Sequence, residues 1–273
     1  MPAPQSTTFR QISETLHEPQ SQTVDAICGT HGKYVSTVTT YDMGLDAPTV
    51  ISSRCPGCAE DRRLKEEARK AEDAARERMH KVVHLFSRAG IPPRFSDRSF
   101  ANYIATNQGQ KIALSVCKAY ADKWTDKRPE GASLVLTGAP GTGKTHLACA
   151  IASEIMQTHL AATLFMTVSA MLRSIKSTYR KDSERTEQEA ISALNQPDLL
   201  ILDEVGVQVG SEHEKLLMFE VLNERYQQMR PTILISNLAV DELEEFLGHR
   251  VMDRYRECGS VLAFDWQSHR GQR

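Results

Sequence analysis

The stretch "LVLTGAPGTGKTHLA", residues 134–148, decides the fold. An apolar run leads into Gly138, and Gly143, Lys144 and Thr145 complete a G-x-x-x-x-G-K-[ST] pattern. The run predicts a buried strand, the glycines a tight turn, and residues from about 143 to 158 a helix. That order is the context in which the pattern binds phosphate. Gly138, Gly141 and Gly143 let backbone N–H groups turn toward phosphate oxygens without a Cβ clash, and the helix N-terminus adds a partial positive charge. In such a loop Lys144 reaches the β and γ phosphates of ATP and the Thr145 hydroxyl ligates Mg²⁺. The expected nucleotide-binding set is Gly138, Gly141, Thr142, Gly143, Lys144, Thr145 and His146.

A second stretch, "DLLILDEVG" (198–206), puts Asp203 and Glu204 at the end of an apolar strand. Asp203 is placed to hold the Mg²⁺ shell, with Thr145, and Glu204 to polarise an attacking water; the plainer alternative is a pair of acids capping a strand. "TILISN" (232–237) ends a further strand on Ser236 and Asn237. Asn237 either orients the water or serves as a turn residue. With "ATLFMTVS" (162–169) and "SVLAFDW" (260–266), these strands alternate with helical stretches at about 143–158, 169–180 and 184–195. That alternation predicts a parallel α/β sheet.

The totals agree with an ordinary water-soluble chain. Of 273 residues, 40% are hydrophobic and 25% charged, with a formal net charge of -2, so any nucleic-acid surface must be a local patch. No run approaches the about 20 apolar residues of a membrane span, and "MPAPQSTTFRQISETLHEPQ" (1–20) lacks the pattern of a secretory signal. The expectation is a cytoplasmic protein with no membrane partner, in which the six cysteines are metal ligands or buried thiols. Cys117, Cys149 and Cys258 read as packing residues in helical segments.

The remaining cysteines form a pattern. "AICGTHGKY" (26–34) offers Cys28 and His31; "SSRCPGCAE" (52–60) offers Cys55 and Cys58, after an interval of 23 residues that reads as two short strands. Three thiolates and one imidazole make a full tetrahedral set for one structural Zn²⁺ per chain. About 35 residues hold too little core to fold alone, which a metal would remedy. "AEDRRLKEEARKAEDAARERMHKVVHLFSRA" (59–89) follows, rich in helix formers, and Gly90 with Pro92 stops it. This helix is either a solvated connector or a docking surface for a partner. The expected organisation is a flexible N-terminal tail over 1–23, a zinc-binding module over 24–58, a charged linking helix over 59–90 and an ATPase domain over 91–273.

Together "IPPRFSDRSFANY" (91–103), "GAPGTGKTHLACAIA" (138–152), "DLLILDEVGVQ" (198–208), "TILISNL" (232–238) and "LGHRVMDRYRECGSVLAFDWQSHR" (247–270) resemble DnaC-type replicative helicase loaders, a branch of the AAA+ ATPases that shares its core with IstB transposition helpers. The resemblance implies an additional-strand P-loop AAA+ sheet flanked by helices. With eight residues after Asp265, it also implies the lack of a C-terminal helical lid. It implies hydrolysis by Lys144, Asp203, Glu204 and Asn237, with Arg254 as an arginine finger reaching a neighbour's ATP and hence self-association. Arg250, one turn earlier, is the alternative finger or an interface residue. Arg270 matches the second sensor arginine, and "IPPRFSD" packs near the base. The implied partners are a hexameric DnaB-type replicative helicase and single-stranded DNA. "MLRSIKSTYRK" (171–181) could meet DNA through Lys176 and Tyr179, extended by Ser211 and His213, unless it is simply a solvated basic helix end. The rival functions are a transposition helper and a nucleotide-gated adaptor with little turnover.

Overall fold

The structure, a computed structural model, describes residues 18–42, 47–207 and 211–269. The chain divides into two compact units, residues 1–77 and 78–273. Each is described by itself.

In the first unit, β1 (Gln20–Cys28), β2 (Gly32–Tyr41) and β3 (Thr49–Ser52) form one antiparallel sheet in the order β1-β2-β3. Cys28 pairs with Gly32 across a tight turn, where Gly32 takes a φ of 77° that disfavours side chains. β1 starts at Gln20, so the strand takes in residues 20–23 that composition assigns to a tail. Its alternation is polar enough to read as tail, because the sheet covers no core. Among the described residues of this unit only Ser36 and Cys55 are buried. The helix α1 (Pro56–Arg88) begins earlier than residue 59, with Pro56 at its first position, where the missing N–H costs nothing. Cys58 therefore lies in its first turn.

The second unit begins inside α1, at Arg78. Arg78 donates to the carbonyls of Gln157 and Thr158, both at 2.8 Å. The chain leaves the helix at Ala89, whose carbonyl accepts from Phe165 N at 2.7 Å. Gly90 has φ 68°, and a Cβ there would lie 2.6 Å from Phe165 O. Five parallel strands follow: β4 (Ser133–Gly138), β5 (Thr163–Thr167), β6 (Leu199–Val205), β7 (Thr232–Ser236) and β8 (Gly259–Phe264). Their order is β5-β6-β7-β4-β8. β7 thus lies between the phosphate-loop strand and the acid-pair strand, which is the additional-strand arrangement.

Period-two alternation builds a core on each face of this sheet. Leu134, Leu136, Leu199, Ile201, Ile233 and Ile235 pack with α2 (Gln108–Asp122), α3 (Trp124–Lys127) and α4 (Lys144–His159). The interleaved Val135, Leu200, Leu202 and Leu234 pack with α5 (Val168–Lys176), α6 (Glu187–Asn195), α7 (Glu212–Gln227), α8 (Val240–Leu247) and α9 (His249–Glu257). α5 is shorter than expected and gives way to a 3₁₀ turn, Ser177–Tyr179. α6 starts at Glu187 behind a Thr186–Glu189 capping box. Cys117 and Cys149 are buried, whereas Cys258 follows α9 and is half-buried. No helix of the described residues is long and apolar enough to cross a membrane.

Arg225, fully buried on α7, ties the far end of the sheet together. Its guanidinium donates to the carbonyls of Leu194 (2.8 Å), Pro197 (3.3 Å) and Pro231 (2.6 Å) and to Thr232 Oγ1 (2.9 Å). Arg225→Met should leave those acceptors buried without donors and lower unfolding free energy by about 3 kcal/mol, read from urea melts of the full chain.

Candidate functional site

The phosphate loop connects β4 to α4, and its shape depends on residues far away in sequence. Gly138 (φ 123°) has no room for a side chain, since a Cβ would lie 2.4 Å from Phe264 O on β8. Gly143 (φ 100°) lies under Tyr103, whose ring carbon would be 2.7 Å from a Cβ. The Tyr103 hydroxyl is buried without a hydrogen-bond partner, and burial pushes its pKa up to about 12. Tyr103 also meets His146 edge-on at 5.2 Å. His146 Nε2 donates to Ser99 O at 3.0 Å, so His146 fixes the segment before α2 as well as lining the loop. Lys144 is 4% exposed, and its ammonium donates to the carbonyls of Gly138 (2.6 Å) and Ala139 (2.7 Å).

The separate motifs meet in one cavity of about 550 Å³. Lys144, Thr145, His146, Asp203, Glu204 and Asn237 all line it, with Gly141 and Gly143. Arg94, Phe95 and Arg98 close another side, from the "IPPRFSD" segment. Thr145 Oγ1 donates to Asp203 Oδ2 at 3.0 Å, so the two expected Mg²⁺ ligands are already adjacent. Burial raises the Asp203 carboxyl above its usual range, partly offset by donation from Glu204 N. A buried carboxylate beside a hydroxyl is the donor chemistry that suits Mg²⁺.

Strand alternation alone would turn Asp203 and Glu204 to opposite faces. A register shift between Leu202 and Val205, with Glu204 at φ 62°, brings both to the cavity. A left-handed glutamate is strained by about 1 kcal/mol or more. Ser236 Oγ on β7 donates to Val205 O at 2.7 Å, which holds the strand carrying Asn237 against the distorted end of β6.

Other expected residues lie elsewhere. Arg254 is half-buried on α9; it bonds Asn223 Oδ1 and stacks 4.9 Å from the Tyr226 ring centre. It does not line its own chain's nucleotide cavity. Arg250 is exposed on the same helix. Arg270 is outside the described residues. Tyr179 and His213 come together, with the hydroxyl 3.0 Å from Nε2 and the rings 6.1 Å apart. Tyr179 also donates to Glu187. Lys176 is paired with Glu214 at 2.5 Å, and Ser211 caps α7, so these two are committed within the chain.

In the first unit the four ligand atoms of Cys28, His31, Cys55 and Cys58 lie within 4.8 Å of one another. Cys28 Sγ is 3.3 Å from Cys58 Sγ, and His31 Nδ1 is 3.8 and 3.4 Å from those sulfurs. Tetrahedral zinc, with bonds of about 2.0–2.3 Å, needs donors about 3.5–3.8 Å apart, so the residues fit. The backbone N–H groups of His31 and Thr30 lower the Cys28 thiol to about 6, and its proximity pushes Cys58 up to about 11. His31 Nε2 meets Asp61 Oδ2 at 3.1 Å, leaving Nδ1 to the cluster. Gly57 allows this packing, since a Cβ there would lie 2.7 Å from the His31 ring. Spacing found the four donors; Asp61, one turn into α1, gives no such signal.

Fold and cavity define an ATP-binding P-loop domain of the AAA+ type. The family model for "IstB-like ATP binding protein" matches residues 66–260. The chain is 36% identical over 196 residues to a protein named "Replicative helicase loader DnaC" from Escherichia coli strain K12, covering 71% of this chain and 78% of that one. A solved structure, "Crystal structure of the DnaC helicase loader", superposes with a TM-score of 0.57 at 22% identity, over 63% of this chain and 99% of that chain. "Crystal Structure of the DnaI" superposes with a TM-score of 0.56 at 20% identity, over 68% of this chain and 99% of that chain. The chain belongs to the IstB-like ATP-binding family, in the branch that includes the DnaC loaders.

Proposed function

We propose that the protein is an ATP-dependent helicase loader, which binds a DnaB-type replicative helicase and delivers it onto single-stranded DNA. The observation that carries this is the 36% identity, over 78% of its length, to a protein named as a replicative helicase loader. The cavity supports ATP hydrolysis. Backbone N–H groups and Lys144 hold the phosphates, Thr145 and Asp203 hold Mg²⁺, and Mg²⁺ when bound neutralises charge on the phosphates. Glu204 takes the proton from the attacking water, and Asn237 orients that water. Arg254, remote from its own cavity, completes a neighbour's site, so hydrolysis requires self-association. The exposed Tyr179–His213 pair, near exposed Arg173 and Arg180, is a stacking platform for a base of single-stranded DNA.

The zinc module is structural. Cys28, His31, Cys55 and Cys58 hold one Zn²⁺, and α1 beside it carries the helicase-docking surface. A cytoplasmic setting, where thiols stay reduced and available to a metal, is part of this reading. The family description "IstB-like" keeps a second reading in view, a helper that recruits a transposase to DNA.

Pull-downs with a replicative hexameric helicase and with a transposase, at each nucleotide state, separate the two; no helicase binding in any state overturns the loader reading. Glu204→Gln should retain ATP binding and lose turnover by about 100-fold or more, measured with and without single-stranded DNA. Arg254→Ala should be equally inactive alone, and mixing it with Glu204→Gln should restore part of the rate, because a shared site can then hold one intact copy of each residue. Metal analysis should give about one Zn²⁺ per chain and none in the Cys55→Ser, Cys58→Ser double variant. Asp61→Asn should weaken zinc about ten-fold, read by competition with a chromogenic chelator.

A further inference from the structure

The phosphate loop is held from behind by the segment that follows β8. Phe264 ends that strand with its carbonyl against Gly138, and the Trp266 ring packs 4.7 Å from the Phe264 ring. Trp266 Nε1 donates to Thr142 O at 2.9 Å. The backbone N–H of His269 donates to Gly141 O at 3.0 Å. The strap is also tied to α2. Gln110, 2% exposed, accepts at Oε1 from the N–H groups of Thr106 (2.6 Å) and Asn107 (3.0 Å). That fixes its amide, whose NH₂ then donates to His269 Nε2 at 2.9 Å.

The consequence lies in the peptide units. Gly141 C=O shares a rigid peptide with Thr142 N–H, and Thr142 C=O shares one with Gly143 N–H. A donor on each carbonyl fixes the plane of its peptide and polarises the N–H at the other end. Lys144 supplies donors to Gly138 and Ala139, but it is the group a nucleotide's phosphates would draw away. The strap's donors, by contrast, sit on the carbonyl side of these peptides, and neither Trp266 nor His269 lines the cavity.

We propose that Trp266 and His269 are positioning residues for the phosphate loop, holding two successive peptides with their N–H groups toward the phosphates of a nucleoside di- or triphosphate. The proposal rests on the reading of this cavity as an ATP site. Trp266→Phe keeps the aromatic packing and removes one donor. His269→Pro removes the backbone donor, while His269→Ala keeps it. Binding of ATP and ADP to the full chain, followed by a fluorescent ATP analogue and competition, should weaken about five-fold for Trp266→Phe and for His269→Pro. His269→Ala should bind more tightly than His269→Pro, and Trp266→Phe should raise KM with kcat retained and the nucleotide-free melting temperature unchanged. Wild-type affinity in Trp266→Phe and His269→Pro, in a wild-type protein that binds ATP, overturns the proposal alone. Equal losses in His269→Ala and His269→Pro overturn the role of the backbone N–H. If His269→Pro fails to fold, Trp266→Phe decides. Wild-type protein that binds neither nucleotide overturns the ATP-site reading, and this proposal with it.

Discussion

A loop that turns its N–H groups toward an anion must turn its carbonyls the other way, and each of those carbonyls needs a donor. Most of the second unit can be understood from that requirement. Gly138 and Ala139 are served by Lys144, Ala139 also by the Thr142 hydroxyl, Gly141 by the His269 N–H, Thr142 by the Trp266 indole, and Gly143 by Leu147 in the first turn of α4. The donors come from the loop itself, from α4 and from the other end of the chain. β8 must therefore run beside β4 to bring its trailing segment within reach, and the fifth position in the sheet serves the site as well as the core.

The two units rest on opposite solutions to the same problem of stability. The second buries aliphatic residues on both faces of a sheet and fills its far end with a satisfied arginine. Among its described residues the first buries almost nothing, and its exposed Ile27, Val35 and Val50 leave the four-donor cluster as its organising contact. A module built on such a cluster would depend on a bound metal for its fold, whereas the ATP-binding unit has two aliphatic cores of its own.

The local features were legible in the sequence, and the non-local ones were not. Lys144, Thr145 and Asp203 announce themselves because a few consecutive residues make both the shape and the chemistry, and the donors at 28, 31, 55 and 58 do so because tight turns impose short spacings. The service of Trp266 to Thr142 and the pairing of His31 with Asp61 depend on contacts between distant segments, whereas the placement of β7 between β4 and β6 is what the additional-strand resemblance implies. β1 is only partly legible because a strand without a core to cover has no strong apolar alternation. The sequence could place Glu204 next to Asp203; it could not show the backbone distortion that turns both toward one cavity.

That distortion has an evolutionary side. Glycine takes φ near +60° freely and asparagine more readily than most residues, so either would relax the backbone at position 204. Selection for stability alone would drive this position toward them. With Glu204 as the proposed water-polarising group, its left-handed backbone would be strain tolerated for the sake of that side chain, the usual exchange between stability and activity.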